Sequence, residues 1–424
     1  MNTTQEWSAW KIEECCDILD NRRIPVNSED REKRMGDIPY YGANGLQGYI
    51  DDFIFDEPLI LIAEDGGRFD EFATIPIAYR IEGKSWVNNH AHVLRAKAGF
   101  SQDAIFYALE HKDVQPFIVG GTRAKLNQSA LRSIIIKLPE NKPEQSKIAE
   151  VLSKVDQAIE QTESLIAKQQ RIKTGLMQDL LTRGIDEHGN LRSEETHEFK
   201  DSPMGRIPVE WKIADIESLL DDVDPPMRSG PFGSALLKEE LVDTGVPLLG
   251  IDNVFPEQFV RDYKRFVSPA KAKQLYRYLV RPGDLMVTIM GTVGRCCVVP
   301  DDIGEALSSK HVWTISLNKL RYSPDVACFQ INHSPWVLNH FAQDEQGGIM
   351  ASIRSETLRS TRLPVPPPDE MRNIEDCLRS ISDHLCDNET ILIKLSRLKT
   401  ALMQDLLTGK VRVTPLLETM EVGS

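Results

Sequence analysis

The sequence has no long apolar run, no paired-cysteine spacing and no surplus of positive charge. Its longest apolar stretches, such as PLILIA (58–63) and SIIIKL (133–138), fall far short of the ~20 residues that cross a bilayer, so no membrane partner is expected. Seven cysteines include two adjacent pairs, Cys15–Cys16 and Cys296–Cys297, but no C-x-x-C. An odd count without a framework fits a reducing cytoplasm, with cysteine acting as a small hydrophobe. The opening MNTTQEWSAWKIEECC lacks the basic start and apolar core of a signal peptide. With 50 Lys and Arg against 64 Asp and Glu, the net charge of −14 argues against simple electrostatic capture of naked nucleic acid. The charge is segregated, however. Residues 261–281 hold seven Lys or Arg and one Asp, whereas DIESLLDDVD (215–224) holds five acids and no base.

Catalytic motifs are missing too. A DNA amino-methyltransferase needs an Asp/Asn-Pro-Pro-aromatic loop whose ring stacks on a flipped base. DPPM (224–227) puts Met227 where the ring belongs, and no glycine-rich cofactor turn accompanies it; it reads as a proline-rich turn. GTVGRC (291–296) lacks the spacing and the Lys-Ser/Thr pair of a phosphate loop, and PDDIGEALSSK (300–310) lacks nuclease spacing. His90 and His92 could share a strand face, but without further His or Cys partners no metal site is expected. No cofactor and no catalytic residue is expected.

What the sequence does contain is duplication. KTGLMQDLLTRG begins at residue 173 and KTALMQDLLTGK at 399, 226 residues later. A repeat of that period points to two copies of a whole unit, and 424 residues suit two or more domains. Other matches follow in order: Trp10-Lys11-Ile12 with Trp211-Lys212-Ile213, EPLILIAEDGG (57–67) with GDLMVTIMGTVG (283–294), HVLRA (92–96) with HVWTI (311–315), and GGTRAKLNQSALRS (120–133) with GGIMASIRSETLRS (347–360). The apolar runs predict buried strands followed by glycine turns. Each copy then reaches a Leu-Pro, at 138–139 and 363–364, and a long helical pattern.

Apolar residues in the first pattern fall at Ile148, Leu152, Val155, Ile159, Ile166, Leu176 and Leu180. In the second they fall at Ile374, Leu378, Ile381, Leu385, Leu392, Leu395, Leu402 and Leu406. Steps of four and three residues make the narrow seam of a coiled coil. Prolines precede each run, and Gly184 or Gly409 follows it, as expected of helix starts and stops. Two seams in one chain can bury each other in antiparallel fashion. Thr162 and Asn388 place a polar residue at the same seam position, a device that fixes register.

With these residues in view, the chain resembles the specificity subunit of type I DNA restriction–modification enzymes, from about Trp10 to Val413. The resemblance is carried by MGRIPVEWKI (204–213), GPFGSALLKEELVDTGVPLLGIDNV (230–254), GDLMVTIMGTVGRCCVVP (283–300), YYGANGLQGYIDD (40–52) and the paired LMQDLLT ends. It implies an α+β fold in which two globular mixed α/β target-recognition domains are separated by two long helices that pair as an antiparallel coiled coil. The expected segments are recognition domain 1 (1–140), central long helix (141–185), linker (186–205), recognition domain 2 (206–366), C-terminal long helix (367–413) and tail (414–424). It also implies a two-part, asymmetric site on double-stranded DNA with one half-site per domain. The partners implied are two methyltransferase subunits, with motor-nuclease subunits added for cleavage. A helix pair acting as a ruler would set the spacer. The rival class is a coiled-coil scaffold joining proteins without DNA readout; matched frameworks with unlike surroundings favour two different ligands.

Candidate DNA contacts are Arg123, Lys125, Asn127 and Gln128 after the Gly-Gly turn, with Arg354 in the matching loop. Arg and Lys suit guanine; Asn and Gln suit adenine. The basic-aromatic run adds Lys264, Arg265, Lys271 and Lys273, and the matched strand entries add Asn89, His90, Lys310 and His311.

Overall fold

A computed structural model describes residues 7–120, 124–345 and 352–421. The chain divides into two compact units: Met1–Ser164 with Glu389–Ser424, and Leu165–Asn388. The divisions fall inside the two long helices, α1 (Lys142–Thr182) and α2 (Pro368–Leu406). No helix among the described residues is long and apolar enough to cross a membrane.

Each unit is built on the same plan. In unit 1, strand Trp7–Lys11 pairs antiparallel with Ile135–Pro139. A four-stranded antiparallel sheet runs Cys16–Ile18, Ala91–Ala96, Leu59–Ala63, Ala78–Ile81. Its strand Leu59–Ala63 (LILIA) is buried throughout, as an uninterrupted apolar run must be. A second sheet runs Gly45–Ile50, Ile38–Gly42, Lys84–Val87, Phe55–Asp56, with Ile38–Gly42 parallel to Lys84–Val87.

Unit 2 repeats this order. Lys212–Asp215 pairs with Arg362–Val365. One sheet runs Met227–Ser229, Val312–Ile315, Leu285–Thr288, Cys296–Val298, and the central Leu285–Thr288 is again fully buried. The second runs Leu241–Val242, Phe266–Val267, Val246–Leu249, Leu307–Ser308, with the last two parallel.

The ladders correct two sequence matches. Ala63 pairs with Ala91 and Thr288 with Val312, so HVLRA (92–96) and HVWTI (311–315) are two residues out of register. The Trp-Lys-Ile match fails as well. Ile12 N–H donates to Ile134 O and Ile216 N–H to Thr361 O, both at 3.0 Å, so Ile12 corresponds to Ile216. Trp7, not Trp10, therefore corresponds to Trp211; the local Trp-Lys-Ile identity is out of register. Both tryptophans sit against a glycine past a long helix. A β-carbon at Gly184 would overlap Trp211 and Glu370, and one at Gly409 would crowd the Trp7 indole. Both glycines have positive φ, which suits a helix stop.

None of the seam residues is exposed, whereas Leu165, Ile172, Ile391, Ile393 and Leu398, off the seam, are. In unit 1 the core that buries Ile148 and Leu152 also buries Leu406, with Leu402 packed against it. In unit 2 the core that buries Leu180 also buries Ile374 and Leu378, with Leu176 against it. Segment 186–205, polar enough to suggest a linker, carries structure. Strand Phe199–Ser202 pairs with Gly205–Pro208, and Arg192 is buried. Two of its cations are engaged internally, Arg192 with Glu370 and Lys200 with the carbonyls of Val209 and Trp211.

Candidate nucleic-acid interface

In both units the loop leaving the buried central strand meets the turn entering its neighbour. Glu64 N–H donates to His90 O at 2.8 Å, and Ile289 N–H donates to His311 O at 3.0 Å. The structure thus puts Asn89 and His90, and Lys310 and His311, at matching places. Asn89 and Lys310 are exposed. His90 Nδ1 lies 2.7 Å from Asp65. The His311 imidazole titrates below its usual range, because it is partly buried and faces Lys310 and Arg265; Asp252 opposes this.

Most of the candidate cations carry an acid. Lys125 pairs with Glu64 (2.9 Å), Arg265 with Asp252 (2.8 Å), Lys271 with Glu240 (2.8 Å) and Lys264 with Asp262 (3.5 Å). Lys273 is exposed. The run 261–281 is not one helix but a loop, the strand Phe266–Val267, helix Pro269–Gln274 and a 3-10 turn at Tyr276–Tyr278. Asn127 and Arg354 occupy the N-cap positions of short helices Gln128–Ser133 and Ser355–Arg359. Gln128 donates to Asp20 at 2.9 Å. Arg123 lies outside the described residues.

Beneath the unit 1 rim is a buried ionic network. Asp20, Glu64 and His92 bring three possible ligand atoms within 4.8 Å of one another. Those atoms are already committed. His92 bonds Asp20 (2.6 Å) and Leu126 O (2.7 Å); Glu64 is held by Arg23 (2.7 Å) and Lys125. Burial pushes the Asp20 and Glu64 carboxyls up, but these partners outweigh it and leave both below the usual range. Arg23 bridges Asp20 and Glu64, and through Lys125, Leu126 O and Gln128 the network ties down the strand and helix start at 125–128.

The same rims hold Gln47 and Asn88 in unit 1 and Asp252 and Ser309 in unit 2, none of which the sequence reading singles out. The signal that finds them is the strand end Tyr41-Gly42 matched to Leu249-Gly250, visible only once the ladders are known.

The rims are polar and loop-built, on a framework made twice, so the fold defines a class of tandem domains that share one plan. The type I restriction modification DNA specificity domain family matches residues 4–169. A putative type I restriction enzyme specificity subunit of Haemophilus influenzae is 25% identical over 380 residues, covering 87% of this chain and 86% of its own. The type I restriction enzyme MjaVIII specificity subunit of Methanocaldococcus jannaschii is 24% identical, over 98% of this chain and 95% of its own. The crystal structure of the type I restriction-modification S subunit from M. genitalium shares the fold, with TM-score 0.67 at 14% identity, over 96% of this chain and 97% of that one. Residues 4–169 thus carry the match to the specificity-domain family, and over most of its length the chain is similar to specificity subunits of type I restriction–modification systems.

Proposed function

We propose that this chain is the non-catalytic, base-reading subunit of a type I complex. Residues 1–140 and 206–366 act as recognition modules, each reading one half of an asymmetric two-part site on double-stranded DNA. The chain positions two methyltransferase subunits and, in the full complex, motor-nuclease subunits. The observation that carries this reading is one frame made twice with unlike polar rims. A scaffold without readout has no need of two different rims. The acid-paired cations fit a protein whose grip on phosphate is shared with partners, because phosphate contacts position and base contacts specify. The seam residues support a second element, antiparallel pairing of α1 and α2 as a ruler that sets the spacer.

The purified chain should transfer no methyl group from radiolabelled S-adenosylmethionine. With methyltransferase subunits it should direct adenine methylation at one two-part motif. Replacing residues 206–362 with a relative's domain should change one half-site only. Four residues inserted after Gln169 add about one helical turn, ~6 Å, and should lengthen the spacer by about one or two base pairs while both half-sites persist. An absent motif would return the scaffold reading. An unchanged spacer with full activity would remove the ruler.

A further inference from the structure

One position is shared by the two rims and filled by different chemistry. Asn88 N–H donates to Tyr41 O at 3.0 Å, and Ser309 N–H donates to Leu249 O at 2.8 Å. These bonds align Gly42 with Gly250 and Asn88 with Ser309. Over Gly42 lies the carboxamide of Gln47; over Gly250 lies the guanidinium of Arg265. A β-carbon on either glycine would overlap that side chain. Both residues come from the strand region that pairs antiparallel with the strand ending at the glycine. Tyr40 pairs with Gly48 and Tyr41 with Leu46, so Gln47 is the extra residue of a bulge, a device that re-aims a side chain.

Each side chain is held by one neighbour and left with capacity to spare. Gln47 Oε1 accepts from Asn88 Nδ2 at 3.2 Å, which leaves it a second lone pair and an exposed amide. Arg265 Nη2 donates to Asp252 at 2.8 Å, while its buried Nε has no partner. Beside it the Ser309 hydroxyl, on a residue 5% exposed, has no partner either. Both of those atoms are shut off from solvent, so the capacity left for an acceptor-rich ligand is that of Nη1, on a side chain 30% exposed. The major-groove edge of guanine offers two acceptors, N7 and O6, which suit a guanidinium. That of adenine offers one acceptor and one donor, which suit a carboxamide.

We propose that Gln47 and Arg265 are equivalent base readers, Gln47 for an adenine in one half-site and Arg265 for a guanine in the other. Asn88 and Asp252 are positioning residues that aim them. The inference rests on the proposed function above. The test is methylation mapping with the methyltransferase partner, comparing Gln47→Arg and Arg265→Gln with the unaltered chain. Arg265→Gln should relax one G·C pair of one half-site by roughly 5- to 150-fold in selectivity, with the other half-site unchanged. Gln47→Arg should do the same at one A·T pair of the other half-site. Wild-type selectivity in both variants, with a two-part motif from the unaltered chain, overturns the readers and leaves the function standing. No two-part motif from the unaltered chain overturns the function itself. Arg265→Lys, which keeps the cation for Asp252, guards against a folding defect. In competition binding the unaltered complex should discriminate against 7-deazaguanine, which lacks N7, at one guanine of the motif. The Lys variant should keep part of this discrimination and the Gln variant should lose it; discrimination persisting in full in Arg265→Gln would overturn the proposal.

Discussion

In unit 1, Lys399 reaches Glu110 (2.8 Å) and Asp156 (2.9 Å). In unit 2, Lys173, its counterpart in the repeated helix end, reaches Glu257, whose carboxylate also bonds His333 and, at 3.3 Å, Ser382. The lysines match, but their acids come from unlike elements: helix Gln102–Glu110 and α1 in one unit, and the turn between strands Val254–Phe255 and Gln258–Phe259 in the other. Glu257 even adopts positive φ, 62°, a conformation costly for a side chain and kept only where surrounding contacts over-determine it. A second clamp is shared more closely. Glu144, in the first turn of α1, binds Arg412 through two 2.7 Å contacts; Glu370, in the first turn of α2, binds Arg192 at 2.5 Å. Where the long helices meet the sheets, geometry is held constant even when the partner changes. At the rims the partner and the chemistry both differ. A frame of that kind leaves its rims free to vary without loss of the fold.

The largest effect expected from breaking this match is at Glu370. Its carboxylate takes bonds from Arg192, Ile185 N–H and Trp211 Nε1–H while 7% exposed. Glu370→Ala should cost about 3–5 kcal/mol, because Arg192 stays buried and unpaired. Glu144→Ala should cost about 1.5–3 kcal/mol, since Arg412 is 30% exposed and can rehydrate. Urea unfolding of both variants checks the order; a smaller loss at Glu370 would contradict it.

Next come the lysines. Lys399→Met leaves Glu110 without its cation and Asp156 with Arg80, at 3.7 Å, as its remaining cation, whereas Lys173→Met leaves Glu257 with His333. The first should cost about 2–3 kcal/mol and the second about 1–2 kcal/mol, read from the same unfolding curves. Equal losses would mean that His333 contributes nothing to holding Glu257.

Acid sharpens the comparison further. Burial raises the Glu257 carboxyl, but bonds from His333 and Lys173 outweigh it, so it titrates below the usual range when folded. A depressed carboxyl contributes stability that is complete above its unfolded value of about 4.3 and is lost as pH falls through the folded value. Melting temperature should therefore drop below about pH 4. Glu257→Gln should flatten that drop only in part, because Asp20 and Glu64 in unit 1 are depressed likewise. A melting temperature flat from pH 5 to 3 in the Gln variant would mean that the unit 1 network adds nothing.

What the sequence disclosed and what it hid follow from the range of the forces involved. The long helices Lys142–Thr182 and Pro368–Leu406 were legible because one helical period sorts less exposed from more exposed residues locally. LILIA and LMVT were legible as buried strands because a short uninterrupted apolar run before a glycine turn is also a local signal. The correspondence of Trp7 with Trp211 was not, since three adjacent identical letters at Trp10 outweighed a register that only cross-strand bonds define. The ion pairs of Lys271 and Lys125, both candidate DNA contacts, were not legible because their acids, Glu240 and Glu64, are distant in sequence. Gln47 was invisible for a similar reason: its place depends on a bulge and on a glycine in the neighbouring strand.

The smallest expected effect separates the two polar seam residues. Thr162 donates to Ala158 O of its own helix at 2.7 Å, so its hydroxyl is satisfied whatever lies opposite. Asn388 donates to His384 O at 2.9 Å and also to Gln169 Oε1 of α1 at 3.0 Å. Only the second arrangement prefers one register, because slippage by a turn would take Gln169 out of reach. Asn388→Leu loses a hydrogen bond of about 1 kcal/mol and gains a half-buried apolar side chain of similar worth, so stability should change by less than about 1 kcal/mol. Thr162→Val should be as mild. Their consequences for pairing differ. If α1 and α2 form the ruler, Asn388→Leu should give a mixture of spacer lengths in the methylated motif, and Thr162→Val a single length. Mapping methylated sites in strains carrying each variant decides between them. A single spacer from both would move the register from the seam to the flanking clamps, Glu144–Arg412 and Glu370–Arg192, which no one-turn slip can preserve.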